Sequence, residues 1–250
     1  MKIDTRTRSE APEIMDDFNL KGEILRDALD KIASINRLLG GNKVTLQGLE
    51  LLLKDDSNSI ISNTAKKEIT ILDVGCGNGD MLRYLADYAE KKDLNFKLIG
   101  IDANAFTIKH AKQLSVNYDN ISYLCADIFE ECKQAKVYDV ILCTLTLHHF
   151  KNEEILTLMN TFYEQSTLGI VVNDLHRSKT AYYLFTIFCF AFRLNKMSKD
   201  DGLISILRGF KKDDLQSYSR QLNLKSYILK WKWAFRYQWV IPNIKGRYER

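Results

Sequence analysis

The chain has 250 residues, 46% hydrophobic and 27% charged with only two prolines, enough for one α/β domain with a substantial core and unlike a disordered chain. Its formal net charge of +4 is too small and too dispersed for the basic stripe of a nucleic-acid binder, so no nucleic-acid partner is expected. Five cysteines without a C-x-x-C pair argue against a disulfide frame and against a metal site, and for reduced thiols in the cytoplasm.

The first residues are polar and mixed in charge, without a signal-peptide pattern. Residues 1–65 read as a helical cap or substrate lid, with Ile14, Phe18, Ile24, Leu25, Leu29 and Ile32 at helical spacing. Gly40-Gly41-Asn42 breaks that run, Thr45 to Leu53 forms a second short helix, and the polar stretch Asp55 to Lys67 is a linker. From Ile69 the period changes. Apolar, β-branched runs at Ile69–Val74, Phe96–Ile101, Ile121–Cys125, Tyr138–Cys143 and Gly169–Asn173 alternate with helical stretches at Asp80–Glu90, Ala105–Gln113 and Glu153–Glu164. Strands separated by helices pair in parallel with right-handed crossovers, which predicts an open, doubly wound α/β sheet over residues 66–250. An insertion at about 175–212, a helix near Asp213–Gln221 and two strand-like runs, Ser226–Lys232 and Arg236–Ile241, complete the chain. That final pair predicts an antiparallel closing strand on an otherwise parallel, seven-stranded, Rossmann-like sheet.

The first strand runs into Asp73-Val74-Gly75-Cys76-Gly77-Asn78-Gly79. Glycines there let the backbone turn sharply and let a ligand approach main-chain atoms at the carboxyl end of a strand. A carboxylate at Asp73 repels a pyrophosphate but suits a ligand carrying an ammonium and a sulfonium. Gly79 also falls one residue early for the G-x-G-x-x-G spacing of nicotinamide binders, and position 80 is aspartate. Asp102, one β-α-β step on and followed by Ala103, can accept hydrogen bonds from both ribose hydroxyls or cap the next helix. Asp127 can accept from an adenine amino group while Ile128 packs on the ring.

In this order the motifs, together with Tyr138-Asp139-Val140-Ile141 and Leu147-His148-His149-Phe150, resemble those of the class I S-adenosylmethionine (SAM)-dependent methyltransferases, in their small-molecule, type 11/12-like branch. The resemblance implies SAM as the cofactor. It places Asp73, Gly75, Cys76, Gly77 and Gly79 near the methionine moiety, Asp102 and Ala103 at the ribose, Asp127 and Ile128 at the adenine, and Cys143 and Thr144 along the sulfonium. The opening Arg8 to Asp17, with Pro12-Glu13-Ile14-Met15-Asp16, is similar to that of bacterial methyltransferases acting on phenolic or polyketide-like acceptors.

For an oxygen acceptor a general base helps, and His148 and His176 are the catalytic candidates, with a cofactor-contact or packing role open for the former. His149, Asn173, Asp174 and Tyr183 are candidates for the acceptor side, Asn173 and Asp174 being open also to a helix-capping role. The uncharged run Tyr182–Phe192 must be buried, roof an apolar pocket or touch a membrane surface peripherally, being too short to span a bilayer. The expected function is methylation of a small apolar or aromatic acceptor, on oxygen of a phenolic or polyketide-derived hydroxyl, by a monomer or homodimer. The alternatives are C-methylation of a quinone precursor and a non-catalytic SAM-binding partner subunit.

Overall fold

The computed structural model of the chain describes residues 3–54, 67–192 and 194–243; apart from Lys67, the expected linker lies outside them. The five β-branched runs form strands β1 (Ile69–Val74), β2 (Phe96–Asp102), β3 (Ile121–Cys125), β4 (Tyr138–Thr144) and β5 (Ser166–Leu175), followed by β6 (Ile228–Lys232) and β7 (Arg236–Pro242). They make one seven-stranded sheet in the order β3-β2-β1-β4-β5-β7-β6. β1 to β5 are parallel, and β7 runs antiparallel between β5 and β6. β5 is longer than its apolar run because β7 pairs with it from Gly169–Pro242 to Leu175–Arg236, which carries the ladder past Asn173.

The helices are α1 (Glu23–Leu38), α2 (Gly41–Leu53), α3 (Asp80–Lys92), α4 (Ala105–Leu114), α5 (Ile128–Cys132), α6 (Asn152–Gln165), α7 (Lys179–Ala191), α8 (Lys196–Arg208) and α9 (Lys212–Gln221). Alternate strand residues feed two cores, as period-two side-chain direction requires. On one face Leu72, Ile141, Val172 and Trp239 pack with Leu158 and Phe162 of α6 and Leu215 of α9. On the other, Ile71, Leu98, Val140 and Val171 pack with Leu82 and Leu85 of α3. Leu49 and Leu52 of α2 are fully buried in that second core, so α2 is a layer of the sheet fold. Leu25, Ala28 and Leu29 of α1 pack on Met197 of α8, closing a lid over the carboxyl ends of the strands.

Arginines fasten the arm beneath that lid. Arg8 donates to the carbonyls of His148, Phe150 and Arg208 and lies over the Phe210 ring at 4.6 Å, while Arg177 donates to Thr5 O. The apolar run of the insertion is α7, which divides its faces. Phe185 and Phe188 turn to a cavity, Leu184 borders it while 47% exposed, and Tyr183, Ile187 and Phe190 are exposed. None of the described helices is long and apolar enough to cross a membrane.

Candidate active site

β1 has β2 on one side and β4 on the other, so the chain reverses its winding direction there and leaves a crevice at the carboxyl ends of the strands. A cavity of about 1680 Å³ occupies it. One end is the glycine loop. Gly75 N and Cys76 N donate to Ile101 O, which ties the loop to the end of β2, and Gly77 N donates to Asp102 Oδ2 at 3.2 Å. Gly77 has φ +53°, and a Cβ there would meet only Leu29 Cδ2, at 3.8 Å, so it would project into open cavity. Gly75, at φ +68°, serves a packing purpose, since its Cβ would fall 2.4 Å from Thr146.

Asp73 lies under this loop, 2% exposed. Burial, reinforced by the neighbouring Asp102 carboxylate, pushes its carboxyl up to about 8, and burial likewise raises Asp102. No basic side chain among the described residues forms an ion pair with either. Two adjacent, unneutralised carboxyls beside a loop without a Cβ in the way fit a ligand carrying positive charge, as the ammonium and sulfonium of SAM do. Asp102 is held by Asn104 N as well as by Gly77 N. Asp127 caps α5 through Phe129 N at 2.7 Å, and Ala103, Asp127 and Ile128 line the same wall, with Cys76 and Thr144 further round.

The opposite wall is built across long sequence distances. His148 Nδ1 lies 2.7 Å from Asp174 Oδ1, and His148 N donates to Asp174 Oδ2. Burial works to raise Asp174, but the His148 imidazole and two backbone donors outweigh it and hold it below the ordinary carboxylate range. His148 Nε2 faces Glu13 Oε1 at 3.7 Å, and neither atom has a hydrogen-bond partner or contact with solvent. His149 is more open, at 29% side-chain exposure, with Nδ1 2.7 Å from Asp16 Oδ1 and Nε2 4.0 Å from Glu13 Oε2. Burial lifts the Glu13 carboxyl to about 7, against His149, Ser205 and Arg208, which favour its ionised form. Glu13, His148 and His149 have ligand atoms within 4.8 Å of one another, the spacing a divalent cation needs. The Arg208 guanidinium, however, already stands 3.7 Å from Glu13 Oε1 and 2.6 Å from Asp16 Oδ2, putting positive charge in that space.

The methyltransferase-domain family matches residues 65–206, more than half of the chain. The chain belongs to this family. Methyltransferases of its class I branch take the methyl group from SAM, and the loop, Asp102 and Asp127–Ile128 line one end of the cavity. A ubiquinone biosynthesis O-methyltransferase of Rickettsia canadensis is 33% identical over 119 residues, 47% of either chain. A malonyl-[acyl-carrier protein] O-methyltransferase of Priestia megaterium is 32% identical over 108 residues, 43% of this chain and 36% of its own. The present chain thus spans less than half the length of these curated relatives. Among solved structures, the plantazolicin methyltransferase BpumL with SAH aligns at TM-score 0.56 and 18% identity, over 88% of this chain and 100% of its own. A magnesium protoporphyrin IX methyltransferase from Synechocystis aligns at 0.53 and 12%, over 91% and 88%. At these identities the likeness is one of fold.

In the methyltransferase, Asp73, Gly75, Cys76, Gly77, Asp102, Ala103, Asp127, Ile128, Thr144, His148, His149 and His176 all reach the cavity wall. Five expected residues do not. Gly79 is left-handed at the start of α3, where Tyr123 Oη would lie 2.0 Å from a Cβ, so it is a packing glycine. Cys143 is fully buried within β4, one residue short of the crevice. Asn173 is spent on Gly41 O and Thr45 Oγ1, anchoring α2. Asp174 sits behind His148, and Tyr183 points outward from α7 at 55% exposure. His176 accepts a hydrogen bond from Trp231 at 3.2 Å and stacks on Phe235, fastening the β6–β7 hairpin at the mouth. Glu13, Asp16, Arg208 and Arg236 are the wall residues that sequence reasoning missed. Only the acidic pattern after Pro12 signalled the first two.

Proposed function

We propose that this methyltransferase moves the methyl group of SAM to an oxygen of a small, apolar or aromatic acceptor, a phenolic or enolic hydroxyl. The observation that carries the reading is the continuity of one cavity. Asp73 and Asp102 line it together with the apolar side chains of Leu184, Phe185, Phe188, Trp233 and Phe235, and His149 lines it too. Both curated relatives are O-methyltransferases, which supports oxygen as the acceptor atom.

Bound SAM supplies a methyl group already activated by its sulfonium, so the protein's part is orientation and proton removal. Asp73 would hold the ammonium end and Asp102 the ribose. The apolar side chains would pack on the body of the acceptor. His149 is the proton acceptor in this reading: its Nδ1–H donated to Asp16 leaves the Nε2 lone pair free. The hydroxyl proton of the acceptor would pass to His149 Nε2, and Glu13 Oε2, 4.0 Å from that nitrogen, would favour the imidazolium so formed. His148, whose Nε2 is sealed against Glu13, positions that carboxyl and does not meet the acceptor. Incubation with isotope-labelled SAM and a panel of hydroxyaromatic acceptors tests the reading: label should appear on oxygen. Label on carbon alone, or none with any acceptor, would sink it.

A further inference from the structure

Three other arginines reach deep into the described structure, and each is saturated. Arg177 pairs with Asp214 at 2.9 Å and donates to the carbonyls of Thr5, Arg6 and Gly209. Arg208 pairs with Asp16 and donates to those of Ala11, His148 and His149. Arg8 has five acceptor contacts, from Asn152 and Tyr218 to the carbonyls already named. Arg236, at the start of β7, departs from this pattern. It is 3% exposed, and Nε and Nη1 are shut off from solvent with no partner. Among the described residues its guanidinium makes no hydrogen bond and no ion pair. Asp174, the carboxylate whose charge acts on it, is already engaged by His148 and by Leu175 N.

An unpaired buried cation costs several kcal/mol of desolvation, and a stable fold retains one where something else repays it. Arg236 lies where a ligand can do so. It lines the cavity with His176, Leu145, Trp233 and Phe235, and packs against the α1–α2 turn, where a Cβ on Gly41 would stand 3.1 Å from its Cζ. The planar guanidinium matches a carboxylate, which can take two of its N–H groups at once, and the rings nearby suit a flat, apolar body.

We propose that Arg236 is the anchor of an acceptor carboxylate, so that the acceptor class is a hydroxylated aromatic acid held by its carboxyl group while its hydroxyl faces the donor. This rests on the reading of the apolar part of the cavity as the acceptor's, and the test keeps the two apart. With S-adenosylhomocysteine present, benzoate should raise the melting temperature of the wild type, and benzamide should not. Arg236→Gln and Arg236→Lys should lose the benzoate shift, the Gln variant without losing ligand-free stability, since it removes an unpaired charge. In turnover, a hydroxybenzoate should exceed its methyl ester in kcat/KM by about 10- to 100-fold, as a charge-assisted pair implies, and Arg236→Gln should abolish that preference. An Arg236-dependent benzoate shift without methyl transfer would leave the anchor standing and remove the O-methylation reading. An equal shift in wild type and a folded variant, or no shift in the wild type, would overturn the anchor. If Arg236→Gln does not fold, Arg236→Lys, which keeps the charge and loses the fork, decides by the same readout.

Discussion

Replacing Gly77 with alanine separates what the glycine loop does for the fold from what it does for the ligand. The native φ of +53° is left-handed, which costs an L-residue about 1–2 kcal/mol. For a chain of this size that lowers the melting temperature by roughly 2–8 °C. No packing loss adds to it, because the new Cβ meets only Leu29 Cδ2 at 3.8 Å. The methyl group instead stands in cavity space, where overpacking by one carbon costs about 1–3 kcal/mol, equivalent to about 5- to 150-fold in affinity. Thermal melting and calorimetry with S-adenosylhomocysteine read the two quantities separately. Gly75→Ala is the contrast: its Cβ would fall 2.4 Å from Thr146 Cγ2 and 2.5 Å from Oγ1, so stability should fall further than in the Gly77 variant. Wild-type affinity in a Gly77→Ala protein that melts at the lowered temperature would refute the placement of the donor against this loop.

Asp102→Ala removes the carboxylate that holds Gly77 N and Asn104 N and that we propose binds the ribose, and calorimetry should show SAM affinity reduced about 10-fold or more; unchanged affinity would take Asp102 out of the site. His149→Asn should lower kcat about 100-fold with a near-native melting curve, whereas His148→Asn strands the buried Asp174 and should destabilise the fold by about 3–5 kcal/mol. A His149 variant with wild-type kcat would end its role as proton acceptor. The ligand-free protein should also lose stability as pH rises. Asp73 and Glu13 titrate near 8 and 7 in the fold but near 4 when unfolded, so between those values the folded state holds protons that the unfolded chain has released. Their stabilising contribution is complete below about pH 4 and fades as pH climbs through 7 to 8. Asp73→Asn should flatten the melting temperature between pH 5 and 8, and a slope identical to wild type would show that Asp73 is not the buried acid responsible.

The strands, and the gathering of the motif residues at one cavity, were legible because their determinants are local. A β-branched run, a glycine turn and an acidic residue at the next strand end each fall within a few positions, and Asp73, Gly77, Asp102, Asp127 and Ile128 all reach the cavity as the motifs implied. The acceptor side was less so, because its contacts join residues far apart: Glu13 meets His148, and Asp16 meets Arg208. Asn173 and Asp174 look like a substrate-binding pair at a strand end. The Asn173 amide nitrogen instead anchors α2, and Asp174 is engaged by His148; the first of these demands arises only once α2 is in place. The aromatic run was read correctly as apolar all round. Which of its rings face the cavity depends on the packing of α7 against α8, where Gly202 admits the Phe185 ring.

The site of the spent cofactor is the most direct test of this placement. A crystal structure with S-adenosylhomocysteine should place its ribose on Asp102, its amino group toward Asp73, and its sulfur toward His149 and the apolar part of the cavity. A nucleoside bound elsewhere in the cavity, or a sulfur turned away from His149 and Arg236, would contradict it.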